Sequence, residues 1–213
     1  MVQALVEGSK TQTRRIIKYK KKIEDPVIGF TAFTDEGQFS VRGKHENGQF
    51  GESFFKMPIQ TGDILWVRET FTEGSDSFPY VHKAGYPDYI PSHIENIPSI
   101  KEMKWKPSIF MPKAACRIFL EVTKVRVERL QDISEPDAIA EGIASFNHGY
   151  GGSPQGVWYK DYIHDTHTHN VRPRESFMSL WESINGKGSR KANPWVWVYD
   201  FHRIEKPTNF LNS

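Results

Sequence analysis

Arg117-Ile118-Phe119-Leu120-Glu121-Val122-Thr123-Lys124-Val125-Arg126-Val127-Glu128-Arg129 decides the fold class. Ile118, Leu120 and Val122 alternate with Arg117, Phe119 and Glu121, and Val125 and Val127 alternate with Arg126 and Glu128. That two-residue period belongs to strands, and the interruption at Thr123-Lys124 divides the run into a strand pair. Just downstream, Ser134-Glu135-Pro136-Asp137 has capping-box form with a proline early in the helix. The helix it opens runs to Glu141, and Gly142 stands where a helix stops.

Working outward, Pro194 to Ile204 reads as a terminal strand. Trp195, Trp197, Tyr199 and Phe201 face one way and Val196 and Val198 the other. Pro173 opens a helix in which Phe177, Leu180, Trp181 and Ile184 keep helical spacing, and Asn185-Gly186 ends it. Val2, Leu5 and Val6 share one face of a short first helix that Gly8 stops. Between residues 23 and 58, Gly29, Gly37, Gly43, Gly48 and Gly51 punctuate short strands. Thr61-Gly62-Asp63 turns into Ile64-Leu65-Trp66-Val67-Arg68-Glu69-Thr70-Phe71, a run so continuously apolar that a strand buried on both faces is predicted. Residues 72–104 and 143–172 read as two long loop insertions. The class is α+β, with a small, partly closed mixed β-barrel and short helices forming a single domain over residues 1–213.

Composition narrows the partners. The 28 Lys+Arg against 26 Asp+Glu leave a net charge of +2, unlike a histone-like or tail-driven nucleic-acid binder. The 28 aromatics (6 Trp, 8 Tyr and 14 Phe) suffice for a folded core, each ring burying roughly 150–250 Å². Cys116 is the only cysteine, so neither an intrachain disulfide nor a cysteine zinc cluster can form. No apolar run approaches the ~20 residues of a membrane-spanning helix, and residues 1–8 are too short and polar for a secretory segment. A cytoplasmic protein without membrane association is expected.

The chemistry concentrates at Gly8-Ser9-Lys10-Thr11-Gln12-Thr13-Arg14-Arg15. It lacks the first glycine and the spacer of a phosphate-binding P-loop. A desolvated lysine with cationic neighbours has a lowered pKa and can take a proton from a hydroxyl, which suits acyl transfer. The same residues equally suit phosphate binding or a solvated basic turn.

Gly8-x-Lys10-Thr11-x-Thr13-x-Arg15, Gly62-Asp63 opening a strand, Ser134-Glu135-x-x-Ala138-x-x-Glu141-Gly142 and the aromatic terminal strand, in that order, resemble the ASCH domain family. Trp105-x-Pro107-Ser108-Ile109-Phe110-Met111-Pro112, and Asn185-Gly186 with Asn193-Pro194-Trp195-Val196-Trp197, are similar to its longer phage and prophage members. The resemblance implies a PUA-like barrel and a protein that handles a nucleoside or RNA. Some bacterial relatives in that family are N4-acetylcytidine amidohydrolases. The resemblance carries their Lys-x-x-Thr motif and helix Glu onto Lys10, Thr13 and Glu141. Neutral Lys10 would accept the Thr13 proton, Thr13 would attack the acyl carbonyl, and Glu141 would orient the lysine or shuttle a proton. Backbone N–H groups near residues 10–14 would hold the oxyanion. An RNA or modified-base binding module and a ribonuclease are the other readings the family allows. The family usually has a strand before the first helix, whereas Met1 stands almost at the helix start here.

Further candidates follow from residue type. Arg14, Arg15, Lys18 and Lys20, with Lys21 and Lys22, form a basic cluster suited to phosphates, and Trp105 is the best exposed stacking platform for a base. Trp181 and Trp195 fall on periodic apolar faces and read as core. Arg68 and Arg117 either line a barrel mouth or pair with Glu69 and Glu121. His164-Asp165-Thr166-His167-Thr168-His169 has ligand types for a metal but sits in a polar loop, so no metal and no cofactor are expected.

Overall fold

A computed structural model describes residues 1–18, 23–27, 38–45, 48–76, 78–91, 96–148, 156–164, 169–170 and 172–212. In chain order the elements are α1 (Val2–Val6), β1 (Gln12–Ile16), β2 (Ile23–Val27), β3 (Gln38–His45), β4 (Phe50–Lys56) and β5 (Ile64–Trp66). They continue with β6 (Phe71–Ser75), β7 (Phe78–His82), β8 (Phe119–Arg129), α2 (Glu135–Ala140), β9 (Ser145–His148), β10 (Gly156–Lys160), β11 (His169–Asn170), α3 (Pro173–Asn185) and β12 (Trp195–Ile204). The class is α+β. Its centre is an antiparallel sheet, ordered β1-β12-β8-β5, that curls into a half-barrel.

The decisive stretch forms one strand of 11 residues rather than a pair. Its pairing with β12 slips between Asp200, opposite Lys124, and Phe201, opposite Val122. Thr123 is therefore the extra residue of a β-bulge, and the bulge, not a turn, interrupts the alternation. The bulge lets Val122 and Val125 enter the same core although they stand three residues apart.

The two faces of the half-barrel bury different things. On the concave face, Val122, Val125, Trp197 and Tyr199 pack with Ile17, Met57 and Phe39 of β3. On the convex face, Val196 and Val198, both fully buried, meet Ala138 of α2 and Phe177, Leu180 and Trp181 of α3. Each such side chain contributes roughly 1.5–3 kcal/mol. Trp195, Trp197 and Tyr199 lie on the concave face and Val196 and Val198 on the convex one, as the alternation predicts. Phe201 instead packs with Leu5, Ile118 and Leu120 beneath α1. Trp181 is core, whereas Trp195 is only partly buried.

Both helix ends match the sequence. Ser134 Oγ accepts the Asp137 backbone N–H at 3.2 Å, and Gly142 closes α2 at φ 75°. Gly186 ends α3 at φ 92°. The apolar run from Ile64 behaves differently from its prediction. Ile64–Trp66 is a short strand on the edge of the sheet with Ile64 exposed, residues 67–70 are not strand, and Phe71 opens β6. Residues 72–104 are not wholly loop, because β6 and β7 form a hairpin there. Within 143–172, β9, β10 and β11 make a small sheet. No helix among the described residues is long and apolar enough to cross a membrane.

Candidate functional site

Lys10 is held by the ends of both short helices. Gly8, at φ 76°, releases the chain from α1, and the Lys10 N–H then donates back to the Ala4 carbonyl at 3.0 Å. The Thr11 N–H donates to the Ala140 carbonyl at 2.9 Å, so the start of β1 is tied to the C-terminal end of α2. Gly142 makes this approach possible: a Cβ there would stand 2.7 Å from Lys10 Cβ and 2.8 Å from Ala4 Cβ. The Glu141-Gly142 pair thus supplies a carboxylate and the bare backbone that lets the lysine reach it.

The side chain of Lys10 is buried, and its Nζ donates three hydrogen bonds: to the Gln12 carbonyl at 2.7 Å, the Glu141 carbonyl at 2.8 Å and Glu141 Oε2 at 2.8 Å. Desolvation lowers its pKa from the ordinary lysine value, and the Glu141 charge and hydrogen bond oppose that shift. Three acceptors around one nitrogen match an ammonium, whose three N–H groups they satisfy, so the resting pair is charged.

From Lys10 a network runs across the convex face. Arg14 Nη1 reaches Glu141 Oε1 at 3.2 Å and also donates to Gln12 Oε1, while Arg14 Nη2 meets Glu128 at 3.0 Å and Asp137 at 3.5 Å. Arg126 joins Glu128, Asp137 and Asp200, and Gln12 Nε2 donates to Asp137 at 3.0 Å and Asp200 at 2.6 Å. Three cations (Lys10, Arg14, Arg126) thus face four carboxylates (Glu128, Asp137, Glu141, Asp200). Burial pushes the Asp137 carboxyl upward, but hydrogen bonds from Gln12 and Ser134 and the charges of Arg126 and Arg14 hold it below its ordinary value. Arg14, expected at a phosphate-binding surface, is 3% exposed, and its charge is neutralised inside this network. Only its Nε, with Trp181 Nε1 and Ser189 Oγ, lacks a partner among the fully sealed side-chain atoms described.

The pleat of β1 sends Thr13 and Arg15 to the other face. Thr13 is half-buried, its hydroxyl makes no hydrogen bond among the described residues, and Arg15 is exposed. Two cavities meet at this pair. One of about 520 Å³ is lined by Lys10, Thr13, Arg15, Leu65, Trp66 and Arg68, among others. A smaller one of about 250 Å³ is lined by Thr13, Arg14, Arg15, Lys18, Glu141 and Trp181, among others. Lys10, Thr13 and Glu141 are thus gathered around adjoining cavities, although they span 131 residues of sequence.

The remaining candidates separate. Lys18 is exposed at the smaller cavity, while Lys20, Lys21 and Lys22 lie outside the described residues. Trp105 lines neither cavity. It is half-buried, packs edge-on against Tyr86 at 5.6 Å and donates its indole N–H to the Ile100 carbonyl at 2.9 Å, so it is not the exposed platform expected. Arg117 pairs with Glu69 through two 2.9 Å hydrogen bonds, whereas Arg68 stacks on Trp66 at 4.7 Å beside the larger cavity. Cys116 is buried, and burial pushes its thiol pKa up, away from reactivity. Asp165 to Thr168 lie outside the described residues, and no metal-holding group occurs among the described ones. The backbone donors expected to hold an oxyanion are partly used, because the Lys10 and Thr11 N–H groups bond Ala4 and Ala140.

Sequence reasoning missed Gln12, Arg126, Glu128, Asp137 and Asp200 as members of one network. A usable signal was present: Arg126 and Glu128 share the face of β8 opposite Val125 and Val127, and the acidic helix 135–141 needs a polar surface to cover.

No protein-family model matches this chain, nor does any curated protein or solved structure.

Proposed function

We propose that the protein is a PUA-like, ASCH-type amidohydrolase that removes an acyl group from the exocyclic N4 of a cytosine base, using Thr13 as nucleophile. The observation that carries this reading is the unpartnered Thr13 hydroxyl, lining the same cavity as a buried lysine that is 2.8 Å from a buried carboxylate. Burial lowers the Lys10 pKa, so loss of its proton costs less than in water. The neutral amine then accepts the Thr13 proton as Oγ1 attacks the acyl carbon. Collapse of the tetrahedral intermediate returns a proton to N4 and leaves an acyl-threonine that water hydrolyses. Arg15, on the strand face of Thr13, makes no ion pair among the described residues and is a cation free to face the substrate.

A second reading, a binding module for RNA or a modified base, is favoured by the three acceptors around Lys10. In that reading the lysine is a permanent ammonium pinning β1 to α2, and the cavities only recognise a base.

The test is cytidine release from N4-acetylcytidine with a chelator present. Amidohydrolysis predicts turnover by the wild type and a loss of about 10²–10⁴-fold in Thr13→Ala, with partial recovery in Thr13→Ser. No release by folded wild type eliminates this substrate, and equal turnover in Thr13→Ala eliminates the nucleophile. Binding of N4-acetylcytidine without release selects the module.

A further inference from the structure

A third cavity, of about 580 Å³, opens on the concave side of the half-barrel. It is lined by Arg15, Lys18 and Lys56 and by Phe39, Trp197 and Tyr199, among others. It adjoins the smaller of the other two, with which it shares Arg15, Ile16 and Lys18. Its size falls within the range of small-molecule pockets, roughly 300–1,000 Å³.

Two independent features mark it as more than a dent in the barrel mouth. All three cations are exposed, and none is within ion-pair distance of a carboxylate among the described residues. Lys10, Arg14 and Arg126, by contrast, all carry such pairs, and the lining of this cavity holds no carboxylate among the described residues. The second feature is Tyr199. It is 1% exposed and lines the cavity, yet its hydroxyl makes no hydrogen bond among the described residues. Since this hydroxyl is not among the sealed unpartnered atoms, it keeps a small accessible surface, and a polar ligand atom in the cavity can take its hydrogen bond in place of water. Trp197, 3% exposed, is stacked with Tyr199 at 6.4 Å and held edge-on by Phe39 at 4.6 Å, so the aromatic wall is fixed before any ligand arrives.

We infer that this cavity is a phosphate subsite, and that the protein takes a ribonucleoside 5′-monophosphate rather than the bare nucleoside. Arg15, Lys18 and Lys56 supply the charge for a dianionic phosphoryl group, with lysines as point charges and the arginine as a planar donor. The Tyr199 hydroxyl donates to a phosphoryl or ribose oxygen. Arg15, common to all three cavities, spans the junction, so a phosphate bound here leaves its base at Thr13. A cavity of one-nucleotide size matches a mononucleotide. The inference deepens the reading of the Thr13 site but does not need its chemistry, because the phosphate subsite is a matter of binding alone.

The experiment is calorimetric binding to the wild type of each of the four ribonucleoside 5′-monophosphates beside its nucleoside. Inorganic phosphate and a single-stranded RNA decamer of mixed sequence are titrated in the same buffer. At least one monophosphate should bind about tenfold or more tightly than its nucleoside, the size expected for charge-assisted hydrogen bonds. Lys56→Ala and Lys18→Ala, both surface changes that leave the core intact, should each erase most of that preference, and Lys56→Ala, which lies outside the two cavities at Thr13, should do so without weakening nucleoside binding. Tyr199→Phe, which removes one oxygen, should reduce it several-fold. Equal affinity for every monophosphate and its nucleoside overturns the inference, as does a preference that survives Lys56→Ala and Lys18→Ala. Inorganic phosphate binding as tightly as any monophosphate also overturns it, by reducing the site to an anion patch. The decamer binding while no monophosphate does, with steep loss in salt, assigns the cations to a polynucleotide backbone and overturns it as well. Failure of N4-acetylcytidine turnover touches none of these outcomes, so the two readings fall separately.

Discussion

On the convex side of β1, Arg14 is sealed under α2 and α3 with Gln12, Glu128, Asp137 and Glu141 around its guanidinium. On the concave side, one residue along, Arg15 is exposed and faces cavities whose charged lining, among the described residues, consists of other cations and the already paired Lys10 and Glu141. The same side chain in adjacent positions has been given two occupations by the pleat alone. Inward, a cation is part of the architecture and its removal strands opposite charges. Outward, it is available to a ligand and its removal costs the fold little. Basic clusters in a sequence therefore cannot be read as one surface, because a strand divides them between two.

The comparison breaks most visibly at Glu141. Glu141→Ala leaves Lys10 and Arg14 in a buried site with fewer carboxylates, and removing one partner of a buried pair typically costs about 3–5 kcal/mol. Arg15→Ala should change stability by no more than about 0.5 kcal/mol, as surface substitutions generally do. Urea denaturation of the two variants beside wild type measures both. Similar losses in the two would show that Arg15 is as structural as Arg14.

Gly142→Ala comes next. The position has φ 75°, and the added Cβ would meet Lys10 Cβ at 2.7 Å and Ala4 Cβ at 2.8 Å. Left-handed strain alone costs about 1–3 kcal/mol, and the contact with Lys10 adds to it by pushing the lysine from its three acceptors. The same substitution at Gly8, at φ 76° with nothing within 4 Å, carries the positive-φ strain without the clash. A larger loss at Gly142 than at Gly8 in thermal unfolding is the expected result; equal losses would mean that α2 can shift away from Lys10 freely.

Much of this arrangement is legible in the sequence, and the failures have physical causes. Ser134, Asp137 and Gly142 announce α2 and its two ends because capping chemistry is local. The terminal strand declares which of Trp195, Val196, Trp197, Val198 and Tyr199 share a face because period two is local as well. The bulge at Thr123 reads as a break between strands, since from one chain an extra residue and a turn interrupt alternation in the same way. The run from Ile64 looks doubly buried because apolar content does not say whether a strand lies at the centre or the edge of a sheet. Lys10 and its neighbouring hydroxyls draw notice by residue type, but Thr13 and Glu141 are joined to Lys10 only through resemblance. That Arg14 belongs with Glu141 and Arg15 does not depends on where β1 pairs, and partner choice between strands at opposite ends of the chain leaves no mark in a single sequence. Lys56 and Tyr199 give no signal for the same reason, as β4 and β12 meet only in the folded barrel.

Ser134→Ala tests how far the convex network depends on its helix. The Ser134 hydroxyl accepts the Asp137 N–H, and loss of such a cap costs about 1 kcal/mol. Because Asp137 also binds Gln12, Arg14 and Arg126, the cost should shrink in acid as the carboxylate is protonated. The Asp137 pKa is depressed in the fold, so its contribution is complete above the unfolded value near 3.8 and is lost as pH falls through the folded one. Stability curves of wild type and Ser134→Ala between about pH 6 and pH 2 should converge toward the acid end; parallel curves would separate the cap from the charges.

The smallest effect separates the two faces by the sign of their pH dependence in alkali. Tyr199, on the concave side, has its pKa raised by burial, with Arg15 opposing only in part. Above the unfolded value near 10, the unfolded chain loses this proton while the folded chain keeps it, so the Tyr199 contribution declines as pH rises. Lys10, on the convex side, has its pKa lowered by desolvation. Just below the unfolded value of 10.5 the folded state holds fewer protons than the unfolded one, so the Lys10 contribution grows with pH in that window. Each group can tilt the stability curve by at most about 1.4 kcal/mol per pH unit, so over half a unit the expected difference is about 0.5 kcal/mol. Urea midpoints of wild type, Tyr199→Phe and Lys10→Met from about pH 9 to pH 11 resolve it. Tyr199→Phe should gain on wild type as pH rises and Lys10→Met should fall further behind it.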